Sequence, residues 1–530
     1  MTRDQVKRNV VNSALTSYLR IVVRIVLGLV TFRLLYQGLN AVPEQFGFWS
    51  LLWAVFGYGI LLDFGFGYSA QKRVAQYSVT QDWPQLSRVL SSIFFFYLLM
   101  ALMAFLLGVI FSGPLVDLFK VSPEHRSEYR RIMIVFLAGI GLAFPFGIFP
   151  EVLQGQQRIS VANNLNILGS VANFLAVACV VYFQLSFMTL VIVSLAVILL
   201  PYLLAAKLAL AHMPGVRIRP SLFSFHTMLD TSKFSLFAYA NTLSNVIRNK
   251  ADQPVISSIL GVSFVTPYQA GSKVGEMFSM LTRQIAEVLT PAAAHLHAKG
   301  DASALREMML GGMRFSVLGA TPLYLVTAFY MHGMIRILTG VEHPTGPMMW
   351  AGELLLFWYY SLVLTHGVFK YMFTMAGQEK RMMFQSVAEG AINLLLSISL
   401  TFWIKNTFGV DWGILGVALG SVLPTFIFGW GLLWGWAAHE AQLSRWHLFA
   451  RVILPAWRGC APMVAVALAV RFQTFWPSGS NTWLVFAEGA VVGAVGLLGI
   501  WFFSFTAAER GRYGGTICRK LGRKSKEVPA

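Results

Sequence analysis

The stretch VLSSIFFFYLLMALMAFLLGVIF, residues Val89–Phe111, runs 23 residues without a charged side chain. Wound as a helix at about 1.5 Å per residue it is roughly 34 Å long, enough to cross the roughly 30 Å hydrocarbon layer of a bilayer. Its apolar residues are continuous rather than alternating, which selects a helix over a barrel strand. Runs of the same kind recur along the whole chain. They predict spans at about 12–36, 46–66, 89–111, 132–153, 161–182, 187–206, 232–257, 266–290, 315–337, 348–375, 384–404, 412–436, 452–475 and 483–505. The expected fold class is an all-α polytopic membrane protein of about fourteen helices. Composition agrees: only 12% of the 530 residues are charged, the hydrophobic share is 56% and the mean hydropathy is +0.63. Soluble chains carry about 25% charged residues.

The formal net charge of +18 is topological before it is anything else. With an even number of spans and the N-terminus inside, the inside segments hold about 22 lysines and arginines. These include Lys72, Arg73, Arg217, Arg219, Lys380 and Arg381, together with the cluster from Arg510 to Lys526. The outside loops hold about 3, namely Lys120, Arg126 and Lys405. This asymmetry places both termini in the cytoplasm. Nucleic acid is not an expected partner. Cys179, Cys460 and Cys518 are scattered, so neither a disulfide framework nor a zinc site is expected. The first apolar run, interrupted by Arg20 and Arg24, reads as a retained span rather than a cleaved leader. Every loop is too short for a catalytic domain, and no nucleotide-binding Gly-x-x-x-x-Gly-Lys-Ser/Thr is present.

An internal repeat is visible. Gly155-Gln156 closes the fourth span and Gly377-Gln378 the tenth, 222 residues apart; Arg24 and Arg248, in spans 1 and 7, lie 224 apart. Six spans separate the members of each pair, so both copies keep one orientation. The division expected is an N-lobe over 1–220 (spans 1–6), a C-lobe over 221–440 (spans 7–12), two added helices over 441–505, and a basic tail over 506–530 that faces solvent or lipid headgroups.

Particular residues carry a family resemblance. Leu62-Asp63-Phe64-Gly65-Phe66-Gly67, with Lys72-Arg73-Val74-Ala75-Gln76-Tyr77 after it and Phe46-Gly47-Phe48-Trp49-Ser50 before it, resembles the end of the second helix of bacterial oligosaccharide flippases. Tyr268-Gln269-Ala270-Gly271-Ser272-Lys273, then Leu289-Thr290-Pro291, resembles their eighth helix and the loop beyond. The chain as a whole resembles the O-antigen and exopolysaccharide flippases (Wzx type) of the multidrug/oligosaccharidyl-lipid/polysaccharide (MOP) exporter superfamily. That resemblance implies a V-shaped, MATE-like transporter in the bacterial inner membrane. Its cargo would be an undecaprenyl-diphosphate-linked oligosaccharide, and its partners membrane lipids and the polysaccharide polymerase and chain-length machinery. It makes Asp63, Gly65, Gly155, Gln156, Gly377, Gln378 and Pro291 structural motif positions. No enzymatic activity and no cofactor are expected beyond a coupling proton or sodium ion.

The chemistry must lie in ionisable residues at membrane depth, because an unpaired arginine at the bilayer centre costs about 2.5–3.5 kcal/mol. Arg20 and Arg24 share one helix face, which fits a docking site for a diphosphate through bidentate guanidinium contacts. A structural ion pair is the plainer reading. Arg248 and Asp252 are also i, i+4 and so able to pair with each other, with Pro254 kinking the helix beside them. Lys273, Glu276, Met280, Arg283 and Glu287 fall on one face of the eighth span. The expected cationic cavity is Arg20, Arg24, Arg248, Lys273, Arg283 and Lys370, and the ion-coupling candidates are Asp252, Glu276 and Glu287. His366, Glu353, Glu389 with Asn393, and a Glu488–Arg471 pair are weaker sites. Three other readings stand beside the flippase: a multidrug exporter, which would favour an acidic or neutral cavity; a peptidoglycan-precursor flippase, which also wants a cationic one; and a polymerase or ligase, which would need a large external loop.

Overall fold

The computed structural model describes residues 3–39, 42–59, 66–232, 243–244, 246–472 and 482–511. Among them the regular structure is helical, without strands. The first half consists of α1 (Arg3–Leu39), α2 (Pro43–Gly59), α3 (Phe66–Thr80), α4 (Trp83–Leu118), α5 (Arg126–Ala143), α6 (Ile148–Gly155), α7 (Ile159–Tyr182), α8 (Phe187–Ala211) and α9 (Phe225–Ser232). The second half consists of α10 (Asp252–Ile259), α11 (Val265–Ala298), α12 (Ala302–Phe329), α13 (Met331–Thr339), α14 (Gly346–Thr365), α15 (Gly367–Phe373), α16 (Glu379–Phe408), α17 (Ile414–Thr425), α18 (Trp434–Glu440), α19 (Arg445–Val452), α20 (Leu454–Phe472) and α21 (Thr482–Gly499).

Among the described residues nine helices or helix runs are long and apolar enough to cross a membrane, and α19 with α20, bent by 47°, makes a tenth. These match the expected spans 3–6 and 9–14. Of the other four expected spans, the second and seventh include residues outside those described, and α11 carries Lys273, Glu276 and Arg283.

Helix ends are written in the sequence. Asp82 caps α4 by accepting from Gln85 N at 3.1 Å, with Pro84 in its first turn. Asp301 caps α12 through Ala304 N at 3.0 Å, and Ser444 caps α19 through His447 N at 3.2 Å. By contact the chain forms two compact units. The first is residues 1–271, 338–351 and 379–423; the second is 272–337, 352–378 and 424–530. In the first unit α1 lies along α7, where Asn163 donates to Thr16 Oγ1 (3.2 Å) and Ser17 Oγ (2.9 Å). Phe66, Leu86, Leu90, Phe149 and Leu153 form an apolar core where α3, α4 and α6 meet. Gly155 is required there: a Cβ would come within 2.6 Å of the Gln71 carbonyl oxygen.

The two Gly-Gln copies differ locally. Gly155 ends an α-helix, Gln156 caps it, and the Gln156 side-chain amide donates to the Ala209 carbonyl at 3.0 Å. Gly377 sits at φ +79° inside a π-helical turn, 374–378. At the start of the basic tail Arg314 Nη1 donates to Glu509 Oε1 at 2.7 Å, and its Nη2 to the Ser504 carbonyl at 2.8 Å. Burial works to raise the Glu509 pKa, but the Arg314 and Thr506 hydrogen bonds outweigh it and hold the carboxyl below its ordinary value. Residues 512–530 lie outside the described residues, as do Asp63 and Gly65. Pro291 falls within α11.

Candidate functional site

The polar residues at membrane depth sort into three seams. The first belongs to α1. Arg20 is half-buried and Arg24 exposed, one and two turns beyond the Asn163 contacts. Arg24 and Glu151 both act electrostatically on Tyr202 of α8.

The second seam, also in the first unit, is the most deeply buried. Arg248 lies in the helical stretch 246–250, and its Nη1 donates to Glu389 Oε2 of α16 at 3.0 Å. The Glu389 side chain is 0% exposed and the same oxygen accepts from Gln385 Nε2 at 2.6 Å. The expected Arg248–Asp252 pair is therefore corrected: the partner is Glu389. Asp252 is buried and accepts from the Tyr268 hydroxyl through Oδ2. Among the described residues its Oδ1, with Gln253 Oε1 and Gln385 Oε1, is a buried oxygen without a hydrogen bond.

The break between Arg248 and Asp252 is set by Pro254. A proline at 254 cannot donate to the carbonyl of residue 250, and its ring crowds it. The helix is interrupted at Ala251, which keeps helical torsions (φ −70°, ψ −21°), and α10 starts at Asp252 with Pro254 in its first turn.

Glu389 sits in a buried polar row: Gln385, Glu389, Asn393, Ser397 and Thr401, each four residues on from the last and at most 3% exposed. Asn393 Nδ2 donates to the Gly420 carbonyl (3.1 Å) and Ser421 Oγ (3.0 Å) on α17. Gly416 and Gly420 let α17 approach this row closely, since a Cβ at either would overlap Thr401 or Ser397. Gln385 and the row's extent escape a motif search, yet the constant spacing of four is legible in the sequence.

The third seam lies in the second unit, on α11 and its neighbours. Lys273 Nζ donates to Glu276 Oε2 at 3.0 Å, with side chains 18% and 25% exposed. Arg283 is exposed and donates to the Ser279 carbonyl (3.3 Å) and Oγ (3.4 Å). It acts on Tyr324, whose ring lies 5.3 Å from Tyr360 and 5.9 Å from Phe278. Lys370 is buried in α15, and His366 one turn earlier contacts Thr365 Oγ1 at 2.8 Å. The side chains of Glu287 and Arg471 lie outside the described residues.

Two ion pairs, Arg248–Glu389 and Lys273–Glu276, thus lie in segments that the sequence places within the membrane. Residues 10–297, over half of the chain, match the model of the family described as polysaccharide biosynthesis protein. The chain belongs to that family. Three solved structures share its fold. The lipid II flippase MurJ, in an inward closed conformation, is 12% identical and superposes with a TM-score of 0.69, covering 96% of this chain and 99% of that one. An inward-facing multidrug-resistance MATE transporter of the MOP superfamily is 15% identical, with a TM-score of 0.64 and coverage of 80% and 96%. A MOP-superfamily transporter from Pyrococcus furiosus is 14% identical, with a TM-score of 0.57 and coverage of 82% and 96%. No curated protein sequence is significantly similar to the chain. This member of the polysaccharide biosynthesis family is thus a multi-pass membrane protein with the fold of known flippases and exporters.

Proposed function

We propose that the protein is a secondary-active flippase of the bacterial inner membrane. It moves an undecaprenyl-diphosphate-linked oligosaccharide between leaflets for O-antigen or exopolysaccharide synthesis. The observation that carries this reading is the match to the polysaccharide biosynthesis family, on a chain whose fold is shared with a lipid-linked-precursor flippase. Arg20 and Arg24 are the proposed contacts for the diphosphate, since two guanidiniums one turn apart present forks to adjacent phosphates. Lys273, Arg283 and Lys370 would add positive potential. Arg248, already compensated by Glu389, would orient the site.

Alternating access of two six-helix lobes, both termini cytoplasmic, is the proposed cycle. Asp252 is the proposed coupling group for a proton or sodium ion: one oxygen is held by Tyr268 and the other is buried without a hydrogen bond among the described residues. The MurJ likeness favours a second reading, transport of a peptidoglycan precursor. The test is export of surface polysaccharide by cells carrying Arg20→Ala/Arg24→Ala at wild-type protein level. The proposal expects export to fall at least tenfold. Undiminished export would place the diphosphate elsewhere.

A further inference from the structure

A cavity of about 480 Å³ opens in the first unit where the end of α3, the first turns of α4 and the segment 221–227 meet. Its lining includes Arg73 and Tyr77 of α3, Gln85 and Arg88 of α4, and Ser224 and Thr227. Among the described residues no carboxylate lines it. Asp82, three residues before Gln85, is engaged in capping α4. Among the described residues the two guanidiniums contact neutral amides within their own helices, Arg73 to Gln76 at 3.5 Å and Arg88 to Gln85 at 3.4 Å.

Positive charge at a helix end needs no pocket to set topology, yet this pocket is built. Ser87 Oγ accepts from Arg217 N at 3.0 Å, Ser91 Oγ from Arg219 N at 3.1 Å, and Ser92 Oγ from Ser224 N at 3.0 Å. Three buried serines of α4 thus fix the backbone of the segment that forms the wall. Gly215 packs so tightly on Trp83 that a Cβ would lie 2.6 Å from its ring. The wall is pre-ordered, so a ligand pays little to organise it.

We infer that this pocket binds the phosphate group of an anionic phospholipid headgroup. Two guanidiniums with hydroxyl-bearing side chains beside them, and no acid among the described lining residues, suit a phosphodiester. The volume falls in the range of small-ligand sites. Two aromatic rings select a lipid as the source: Phe223 is 41% exposed on the pocket wall and Phe225 60% exposed beside it. Exposed rings next to paired arginines suit the bilayer interface, where rings sit among acyl chains and arginines meet headgroups. The pocket lies at the end of the unit that the charge asymmetry assigns to the cytoplasm, and it is independent of the transport site.

The test uses the full-length protein, purified in detergent and titrated with phosphatidylglycerol or phosphatidylcholine, with bound lipid counted by native mass spectrometry. Wild type should retain phosphatidylglycerol over phosphatidylcholine. Arg73→Gln/Arg88→Gln should weaken that retention about 25-fold, roughly fivefold for each arginine. Arg73→Lys/Arg88→Lys should keep part of it. Lys299→Gln/Lys380→Gln, which removes the same charge from exposed sites elsewhere, should keep all of it. Thermal unfolding of each variant separates loss of binding from loss of fold. Equal retention by the Arg73/Arg88 and Lys299/Lys380 variants would overturn the site. Displacement of phosphatidylglycerol by equimolar glycerol 3-phosphate or inorganic phosphate would overturn the lipid assignment in favour of a soluble phosphate.

Discussion

Glu389→Gln removes one charge from the Arg248–Glu389 pair while keeping the side chain's shape. Glu389 is 0% exposed and Arg248 10% exposed at the side chain, so the guanidinium left behind has little water to turn to. Breaking a buried pair by removing one partner costs about 3–5 kcal/mol. At roughly 1.4 kcal/mol per tenfold, the unfolded fraction should rise by about two to three and a half powers of ten. Removing both charges, as Arg248→Leu/Glu389→Leu, should recover most of the loss, because no uncompensated charge then remains. The assay is the denaturant midpoint of the detergent-solubilised protein for wild type, both single variants and the double. The reasoning predicts a coupling energy of at least about 2 kcal/mol between the two sites. A Glu389→Gln protein as stable as wild type, or single losses that simply add in the double, would refute it.

Asp252→Asn should abolish acceleration of transport by an ion gradient while leaving protein level unchanged, read in proteoliposomes. Survival of gradient dependence would remove Asp252 from the coupling step. Arg24→Lys should keep only part of the export that Arg24→Ala loses, since lysine supplies charge without the planar fork; full activity of the lysine variant would deny the bidentate contact. The Arg314–Glu509 contact should stabilise the protein by about 0.5–1 kcal/mol. Glu509 is held below its ordinary pKa, so this stability is complete above the usual carboxylate range and disappears as pH falls through the lowered value. Thermal melts against pH should show Glu509→Gln losing that dependence, and an unchanged profile would deny it.

The spans were legible because runs such as Val89–Phe111 leave no other fold available in lipid. Lys273–Glu276 was legible because i, i+3 spacing holds on an unbroken helix. The same spacing argument failed for Arg248 and Asp252. Spacing brings two side chains within reach but does not choose between partners. Asp252 turns to Tyr268, and Arg248 finds a carboxylate 141 positions away, a distance no local pattern reports. The Gly-Gln repeat was legible as letters but not as conformation: Gly155 answers a close backbone approach, Gly377 a left-handed φ. The serines of α4 lie at or beside the uncharged run 89–111 and match no motif. Their role depends on a loop about 130 residues downstream.

The central claim is that the protein carries a lipid-diphosphate-linked oligosaccharide across a bilayer. The direct measurement is leaflet accessibility. Proteoliposomes are loaded with a fluorescent undecaprenyl-diphosphate-linked oligosaccharide, and a membrane-impermeant reagent then modifies the exposed glycan. Without protein about half of the glycan should react and the rest stay protected. With the wild-type protein the protected half should become reactive, and with Arg20→Ala/Arg24→Ala it should stay protected. Protection unchanged by the wild-type protein, with and without an imposed proton or sodium gradient, would contradict the account.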